Sequence, residues 1–277
     1  MKCAWKELLA ILPLNVRQEV DRQGRDTLQE IRIRLGKPWL LIRSNGRLEL
    51  KYTAQKDDIQ FVIHAASQYS PWTVTTLSQG YLTAAGGHRI GVCGQALVRN
   101  GSVDGIGVVT SLNIRIARDF PGISSNLWLR GGNILILGPP GCGKTTLLRD
   151  LIRKRSDRET ISVVDERGEI FPMAAGFDAG PNTDILTGFR KDEGISNVLR
   201  AMNPVCIAVD EITAEADCEA LIRAAWCGVS LLATAHASSI TDLNHRPVYQ
   251  PLLKTGLFEF AVILEQDKSW YTERIDI

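Results

Sequence analysis

No two cysteines of the chain stand in a C-x-x-C pair; the six present (Cys3, Cys93, Cys142, Cys206, Cys218, Cys227) are scattered along its length. That spacing excludes the common zinc frameworks and a disulfide-stapled secreted scaffold, and it predicts reduced thiols in a cytoplasmic protein. No apolar stretch approaches the about 20 residues of a membrane-spanning helix, and Met1-Lys-Cys-Ala-Trp-Lys-Glu lacks the apolar core of a signal peptide. The expectation is a soluble protein that reaches a membrane only through partners. Nor is there an excess of one charge: 32 basic against 31 acidic residues leave a formal net charge of +1. A whole-protein field for polyanions is absent, so nucleic acid is not an expected partner. Internal repeats and low-complexity tracts are missing as well.

At 277 residues the chain is long enough for two domains, each with its own core. The texture changes at Asp119-Phe-Pro-Gly-Ile-Ser-Ser-Asn and again at Gly131-Gly132, which divides the chain into residues 1–122, a linker over 123–132, and residues 133–277. In the first part, Ile31-Arg32-Ile33-Arg34-Leu35 alternates apolar and basic residues with the period of a half-buried strand. Asn45-Gly46 between Trp39–Arg43 and Arg47–Leu50 predicts a hairpin, and Asn100-Gly101 predicts a second one joining 90–98 to 103–109. Asp57 is placed to cap a helix whose Ile59, Val62, Ile63 and Ala66 share a face. The expectation is a small α+β domain.

From residue 133 onward, short apolar runs at Ile134–Leu137, Ile161–Val164, Cys206–Val209, Ser230–Ala233 and Phe260–Leu264 alternate with helical patterns. Such runs belong to a parallel sheet covered on both faces. Directly after the first run stands Gly138-Pro139-Pro140-Gly141-Cys142-Gly143-Lys144-Thr145, followed by Thr146-Leu147-Leu148. This is a complete G-x-x-x-x-G-K-[ST] loop between a strand and a helix, a nucleotide phosphate site. Its glycines let backbone N–H groups face phosphate oxygens, the helix adds its positive end, Lys144 reaches the β/γ-phosphates, and Thr145 ligates Mg²⁺. Cys142 is read as a small residue that makes space in the loop, although a helix N-terminus and Lys144 beside it also favour a thiolate.

Three further strand ends carry chemistry. Val205-Cys-Ile-Ala-Val209-Asp210-Glu211 is a buried strand closed by two carboxylates. Asp210 would hold Mg²⁺ through its water shell and Glu211 would orient and polarise the attacking water. Asp165-Glu166 ends the run from Ser162, as an acid pair that supports the site from behind its contacting groups or as a solvated turn. Thr234-Ala235-His236 ends another run, where His236 is placed to sense the γ-phosphate or the water. A GTPase is the rival reading, since Asp165-Glu-Arg-Gly168 fits D-x-x-G, but no [NT]-K-x-D guanine-reading segment follows. An ATPase fits better.

The order from the loop through Arg200-Ala-Met-Asn203-Pro204 and Asp210-Glu211-Ile212 to Ala220-Leu-Ile-Arg223, Gly228 and Thr234-Ala-His236 resembles the secretion-type ATPases, the motors of type II and type IV secretion. Within them the whole chain is similar to the stage III sporulation AA family of endospore-forming bacteria. Leu28-Gln-Glu-Ile-Arg32-Ile-Arg34-Leu-Gly36, Gly80-Tyr-Leu-Thr-Ala-Ala-Gly86-Gly87-His88-Arg89 and Ser111-Leu-Asn113-Ile-Arg115-Ile-Ala-Arg118 match in the first half. The resemblance implies a RecA-like P-loop domain behind the α+β domain, assembled as a hexameric ring. It implies an ATPase of the mother-cell cytoplasm, peripheral at the membrane, that docks on membrane proteins and energises a channel to the forespore. By position, Asp165 and Glu166 match the acidic box, Asp210 and Glu211 the Walker B acids, and His236 the histidine box. One departure is Ile212-Thr213-Ala214, where the secretion motors carry Ile-Arg-Asp.

In secretion-type ATPases arginines of the N-terminal domain or linker close on the triphosphate. Here Arg89 and Arg118 are the candidates, and such a group contributes about 10³–10⁵ in rate. Arg32, Arg34 and Arg115 read equally well as the solvated face of strands. The readings from other classes are a P-loop nucleic-acid binder, resting on Arg153-Lys154-Arg155 and the strand arginines, and a nucleotide-gated scaffold without turnover. Cations at a helix C-terminus are favourable for structural reasons alone, and a scaffold has no need of Glu211.

Overall fold

Residues 1–67, 80–99, 102–127, 132–172 and 175–275 are described in the computed structural model. They form two compact units: Met1–Asp119 with Pro172–Gly176, and Phe120–Phe171 with Phe177–Ile277.

The first unit is built on an antiparallel sheet of six strands, β1 (Leu28–Arg34), β2 (Pro38–Arg43), β3 (Gly46–Thr53), β4 (Tyr81–Thr83), β5 (Arg89–Arg99) and β6 (Ser102–Arg115), in the order β3-β2-β1-β6-β5-β4. Period-two alternation sends Ile31 and Ile33 into the core. There they meet Trp39, Leu41, Ile90 and Ile114 and residues from α1 (Trp5–Ala10), α2 (Leu14–Gln23) and α3 (Lys56–Ser67). Helices α1 and α2 have no counterpart in the sequence expectation; Pro13 opens α2, which buries Val16 and Val20.

Two local expectations are corrected. Arg43 pairs with Gly46, so the β2–β3 turn is Ser44-Asn45, one residue earlier than expected, and Gly46 enters the strand at φ +129°. That backbone conformation is open to glycine and strained for other residues. The carboxylate that caps α3 is Asp58, not Asp57. The helix begins at Lys56, and Asp58 reaches back to accept from Gln55 N–H at 2.8 Å and from the Tyr52 hydroxyl at 3.0 Å, while Asp57 is exposed in the first turn. The second hairpin pairs Arg89↔Arg115 through to Arg99↔Ser102; the Asn100-Gly101 turn lies outside the described residues.

His88 is fully buried in this unit, accepting from Ala117 N–H at Nδ1 (3.2 Å) and facing Ala4 O with Nε2 (2.8 Å). A carbonyl accepts only, so Nε2 carries the proton and the ring is neutral. Burial holds its pKa below the usual histidine value, against the Ala4 bond. Below about pH 6.5 the unfolded chain therefore binds a proton that the folded unit resists, and stability falls as pH falls. The expected result is a lower urea midpoint at pH 5.5 than at pH 7.5, with a smaller difference in His88→Gln. Equal differences in the two proteins would contradict it.

The second unit holds β7 (Ile134–Leu137), α4 (Lys144–Arg155), β8 (Ile161–Asp165), β9 (Thr183–Thr187), α5 (Lys191–Ala201), β10 (Cys206–Val209), α6 (Glu215–Trp226), β11 (Ser230–Ala235), α7 (Ile240–Asn244), α8 (Gln250–Lys254), β12 (Phe260–Leu264) and β13 (Trp270–Arg274). The sheet order is β13-β12-β7-β11-β10-β8-β9, parallel except for β13. Each central strand is apolar on both faces. Leu135, Leu137, Ile207, Val209, Leu231 and Ala233 join a core with α5 and α6, while Ile134, Ile136, Cys206, Ala208 and Leu232 join one with α4. All six cysteines are free, and burial pushes the Cys206 and Cys218 thiols up to about 11 and about 12. Both pack as neutral, apolar groups.

Candidate functional site

At the carboxyl end of β7 the chain turns through Gly138–Gly143 into α4, the place where open α/β sheets bind ligands. Gly138, Gly141 and Gly143 have φ of +156°, +78° and +109°. A Cβ on Gly138 would stand 2.5 Å from Cys142 Sγ and 2.8 Å from Leu264 O, so no side chain fits there. Cys142 is buried against that same glycine, as expected of a residue that makes space. The first turn of α4 offers N–H groups without intrahelical partners. Pro139 is half-buried, Pro140 exposed, and Thr145 and Thr146 half-buried beside them.

Lys144 is only 6% exposed, and its ammonium donates to Gly138 O at 2.8 Å and Pro139 O at 3.0 Å. Burial lowers its pKa, with Asp210 and Glu211 among the groups acting against that shift. The same ammonium lies 3.0 Å from His236 Nδ1, and His236 Nε2 lies 2.6 Å from Glu211 Oε1. An ammonium has no lone pair, so Nδ1 is the acceptor and Nε2–H donates to Glu211. Lys144, His236 and Glu211 thus form one hydrogen-bonded chain from the loop to the end of β10.

Asp210 is the second hub. It accepts from Thr145 Oγ1 at 2.6 Å and from Thr234 Oγ1 at 2.5 Å, while Thr234 Oγ1 accepts from Glu211 N–H at 2.8 Å. Because β11 lies between β7 and β10, its buried Thr234 fixes both acids at once. Glu211 is held at φ +52°, a strained conformation for a residue with a side chain. Its turn is secured by Ile212 N–H on Thr234 O and by Asp217, which accepts from Thr213 and Ala214 N–H groups.

The two acids after β8 part company. Asp165 is buried and turns inward, accepting from the N–H groups of Glu169, Ile170 and Phe171 at 2.8, 3.0 and 2.9 Å. Burial raises its pKa against those bonds. It is not a solvated turn: it shapes the segment that carries Glu166 and Arg167 and lines the same cavity as Asp210 and Glu211, behind the groups that face it. Arg149 of α4 binds the carbonyls of Glu169 and Ile170 in the same segment and lies over the Phe177 ring. Glu166 pairs at 2.5 Å with Lys191, whose side chain is 6% exposed, and Arg167 lies 3.1 Å from Glu211 Oε2. Glu166, Arg167, Lys191, Asp210 and Glu211 line one small cavity.

Sequence reasoning missed Thr234, Lys191, Arg167 and Arg149. Only Thr234, beside His236 at a strand end, had a local signal. The basic run is engaged internally: Arg153 on Asp150 and Asp178 O, Lys154 on Ser124 O, and Arg155 on Glu159, Gly132 O and Ser230. These three side chains serve the fold locally. In the first unit, Arg89 lies over the Tyr81 ring at 4.5 Å, and Arg118 donates to Leu28 O and Asp26 O.

The fit to a nucleotide rests on the Gly138 cradle, the positive-φ glycines, the buried ammonium and the Thr145–Asp210 oxygen pair, which suits a hard cation. Among the described residues no helix is long and apolar enough to cross a membrane.

The family model described as "Sporulation stage III, protein AA" matches residues 4–273. Stage III sporulation protein AA of Bacillus subtilis is 36% identical over 95% of this chain and 91% of its own length. The protein SEEDLING PLASTID DEVELOPMENT 1 of Arabidopsis thaliana is 28% identical over 88% of this chain and 35% of its own. Among solved structures, the Legionella pneumophila ATPase DotB superposes with TM-score 0.59 at 16% identity, over 95% of this chain and 80% of that one. The pilus retraction motor PilT, solved with ADP, gives 0.62 at 17% identity, over 90% and 77%. At these identities the likeness shows the fold, which is the RecA-like secretion-ATPase arrangement expected from the motif order.

Proposed function

The chain belongs to the sporulation stage III protein AA family, and from that premise we propose that it is a Mg-dependent ATPase with residues 133–277 as its ATPase domain. The observation that carries the reading is the hydrogen-bonded chain Lys144–His236–Glu211, which links a phosphate-binding ammonium to a carboxylate able to polarise water.

In this reading the loop from Gly138 to Thr146 binds the triphosphate and Lys144 neutralises its β/γ oxygens. Thr145 and Asp210 would hold Mg²⁺, which supplies further charge neutralisation at the phosphates when bound. Glu211 accepts hydrogen bonds from the attacking water. His236 reports to Glu211 whether Lys144 is engaged by phosphate, since both share its ring. Glu166, held by Lys191 across the same cavity, is a second acid near the reacting end. Arg89 or Arg118 is proposed to reach a triphosphate in trans, as a charge-neutralising group.

At the level of the cell, we infer a hexameric ring in the mother-cell cytoplasm, docked on membrane proteins of a sporulation channel and energising it by hydrolysis. The family membership supports this. Thermal unfolding and phosphate release on one preparation test the reading. Mg-ATP at a hundred times its Kd stabilises the protein by about 2.7 kcal/mol and is hydrolysed. Stabilisation without phosphate release in any assembly state would leave a nucleotide-gated scaffold instead.

A further inference from the structure

The cavity beside Asp210 and Glu211 is short of positive charge: five acids and two cations line it. A triphosphate whose end comes to Glu211 brings further negative charge there, and like charges repel more strongly where water is excluded. Lys191 is not free to answer it. Its side chain is 6% exposed and its ammonium stands 2.5 Å from Glu166 Oε2, and breaking a buried pair strands a charge. Lys144 is held on the far side of His236, by Gly138 O and Pro139 O. Arg167 differs from both. Its side chain is 52% exposed and, among the described residues, has Glu211 Oε2 as its one partner, at 3.1 Å.

The backbone under Arg167 is fixed while its side chain is not. Gly168 N–H donates to Asp165 O at 3.2 Å, and the Asp165 carboxylate accepts from the N–H groups of Glu169, Ile170 and Phe171, so residues 165–171 form a tight turn with Arg167 near its tip. Glu211 is fixed as well, its N–H on Thr234 Oγ1. Its Oε1 accepts from His236 Nε2–H, which leaves Oε2 for the attacking water, and Arg167 stands at Oε2. A half-exposed ion pair of this kind contributes little. A guanidinium makes a stronger, forked contact with phosphate oxygens. With an anchored backbone, one weak tie and a place beside the water's acceptor, Arg167 is poised to leave Glu211 for a terminal phosphate.

We propose that Arg167 is the residue that distinguishes ATP from ADP in this chain: it binds the γ-phosphate from within the same unit as the phosphate loop and, in doing so, clears Glu211 Oε2 for the water. This rests on the ATPase reading above. ADP has no γ-phosphate, so with ADP bound Arg167 stays on Glu211 and the acid is held out of use. The contact is separate from that of Lys144, which both nucleotides engage through the β-phosphate.

Displacement of a fluorescent nucleotide by ADP, and by an ATP analogue with a β,γ-imido bridge, tests this on wild type, Arg167→Ala and Arg167→Gln. A charge-assisted hydrogen bond is worth about 10–10²-fold in affinity, so the Kd of the analogue rises by that factor in both variants while the Kd of ADP keeps its wild-type value. The unchanged ADP value also reports an intact fold. An unchanged Kd for the analogue overturns the inference, and so do two Kd values that rise together, since that places Arg167 in the scaffold of the site rather than at the γ-phosphate. Lys144→Ala is run beside them. A wild type that binds neither nucleotide more tightly than Lys144→Ala defeats the ATPase reading and this inference with it; a wild type that binds both and releases phosphate from ATP, with Arg167 variants that keep its ratio of the two Kd values, defeats this inference alone.

Discussion

Replacing Glu211 with Gln lowers ATP turnover by about 10²–10⁴-fold and leaves ATP bound. The substitution keeps the shape and an oxygen to accept from His236 Nε2–H, so the chain to Lys144 survives. It removes the negative charge that polarises water and turns the group facing Arg167, 3.1 Å away, from acceptor to donor. Arg167 is about half exposed and swings to solvent at small cost. Phosphate release measured with nucleotide-dependent thermal stabilisation separates the two effects. Loss of both together would place Glu211 in the scaffold of the site rather than in the chemistry.

Lys144→Ala acts at the other end of the same chain and removes binding. A charge-assisted hydrogen bond is worth about 1.5–3 kcal/mol, so ATP affinity falls by about 10–10²-fold, and turnover falls with it. Two further losses follow from the geometry. The Gly138 and Pro139 carbonyls lose the ammonium that holds the loop, and His236 Nδ1 loses the donor that fixes its tautomer. Titration with a fluorescent ATP analogue checks this; unchanged affinity would contradict the role given to Lys144.

What could be read in advance was what depends on neighbouring residues. The turn from β7 into α4 needs glycine where φ is positive, and the lysine and threonine must follow at once, so the loop was legible as a string. The strands 134–137, 206–209 and 230–235 were legible because burial on both faces makes them continuous apolar runs. Strands β9 and β13 were not, since they lie at the sheet edges with most side chains exposed and leave no such run. Asp57 and Asp58 illustrate a finer limit: either can cap α3, and where the first turn closes decides which one does. Asp165 was legible as an acid at a strand end, but only the path of residues 169–171 shows that it binds backbone. Lys191 reaches the site from helix α5 and Arg149 of α4 holds the segment behind it, and a pairing between Glu166 and a residue 25 positions away has no local signature.

Hydrolysis by this fold depends on the chain Lys144–His236–Glu211. The direct measurement is steady-state Mg-ATP turnover beside particle mass, for wild type, Lys144→Ala and Glu211→Gln, with and without nucleotide. The prediction is turnover in the wild type alone, with Glu211→Gln retaining ATP and collecting into the larger ring. Phosphate release from the wild type no faster than from Lys144→Ala, at every particle mass, would contradict it.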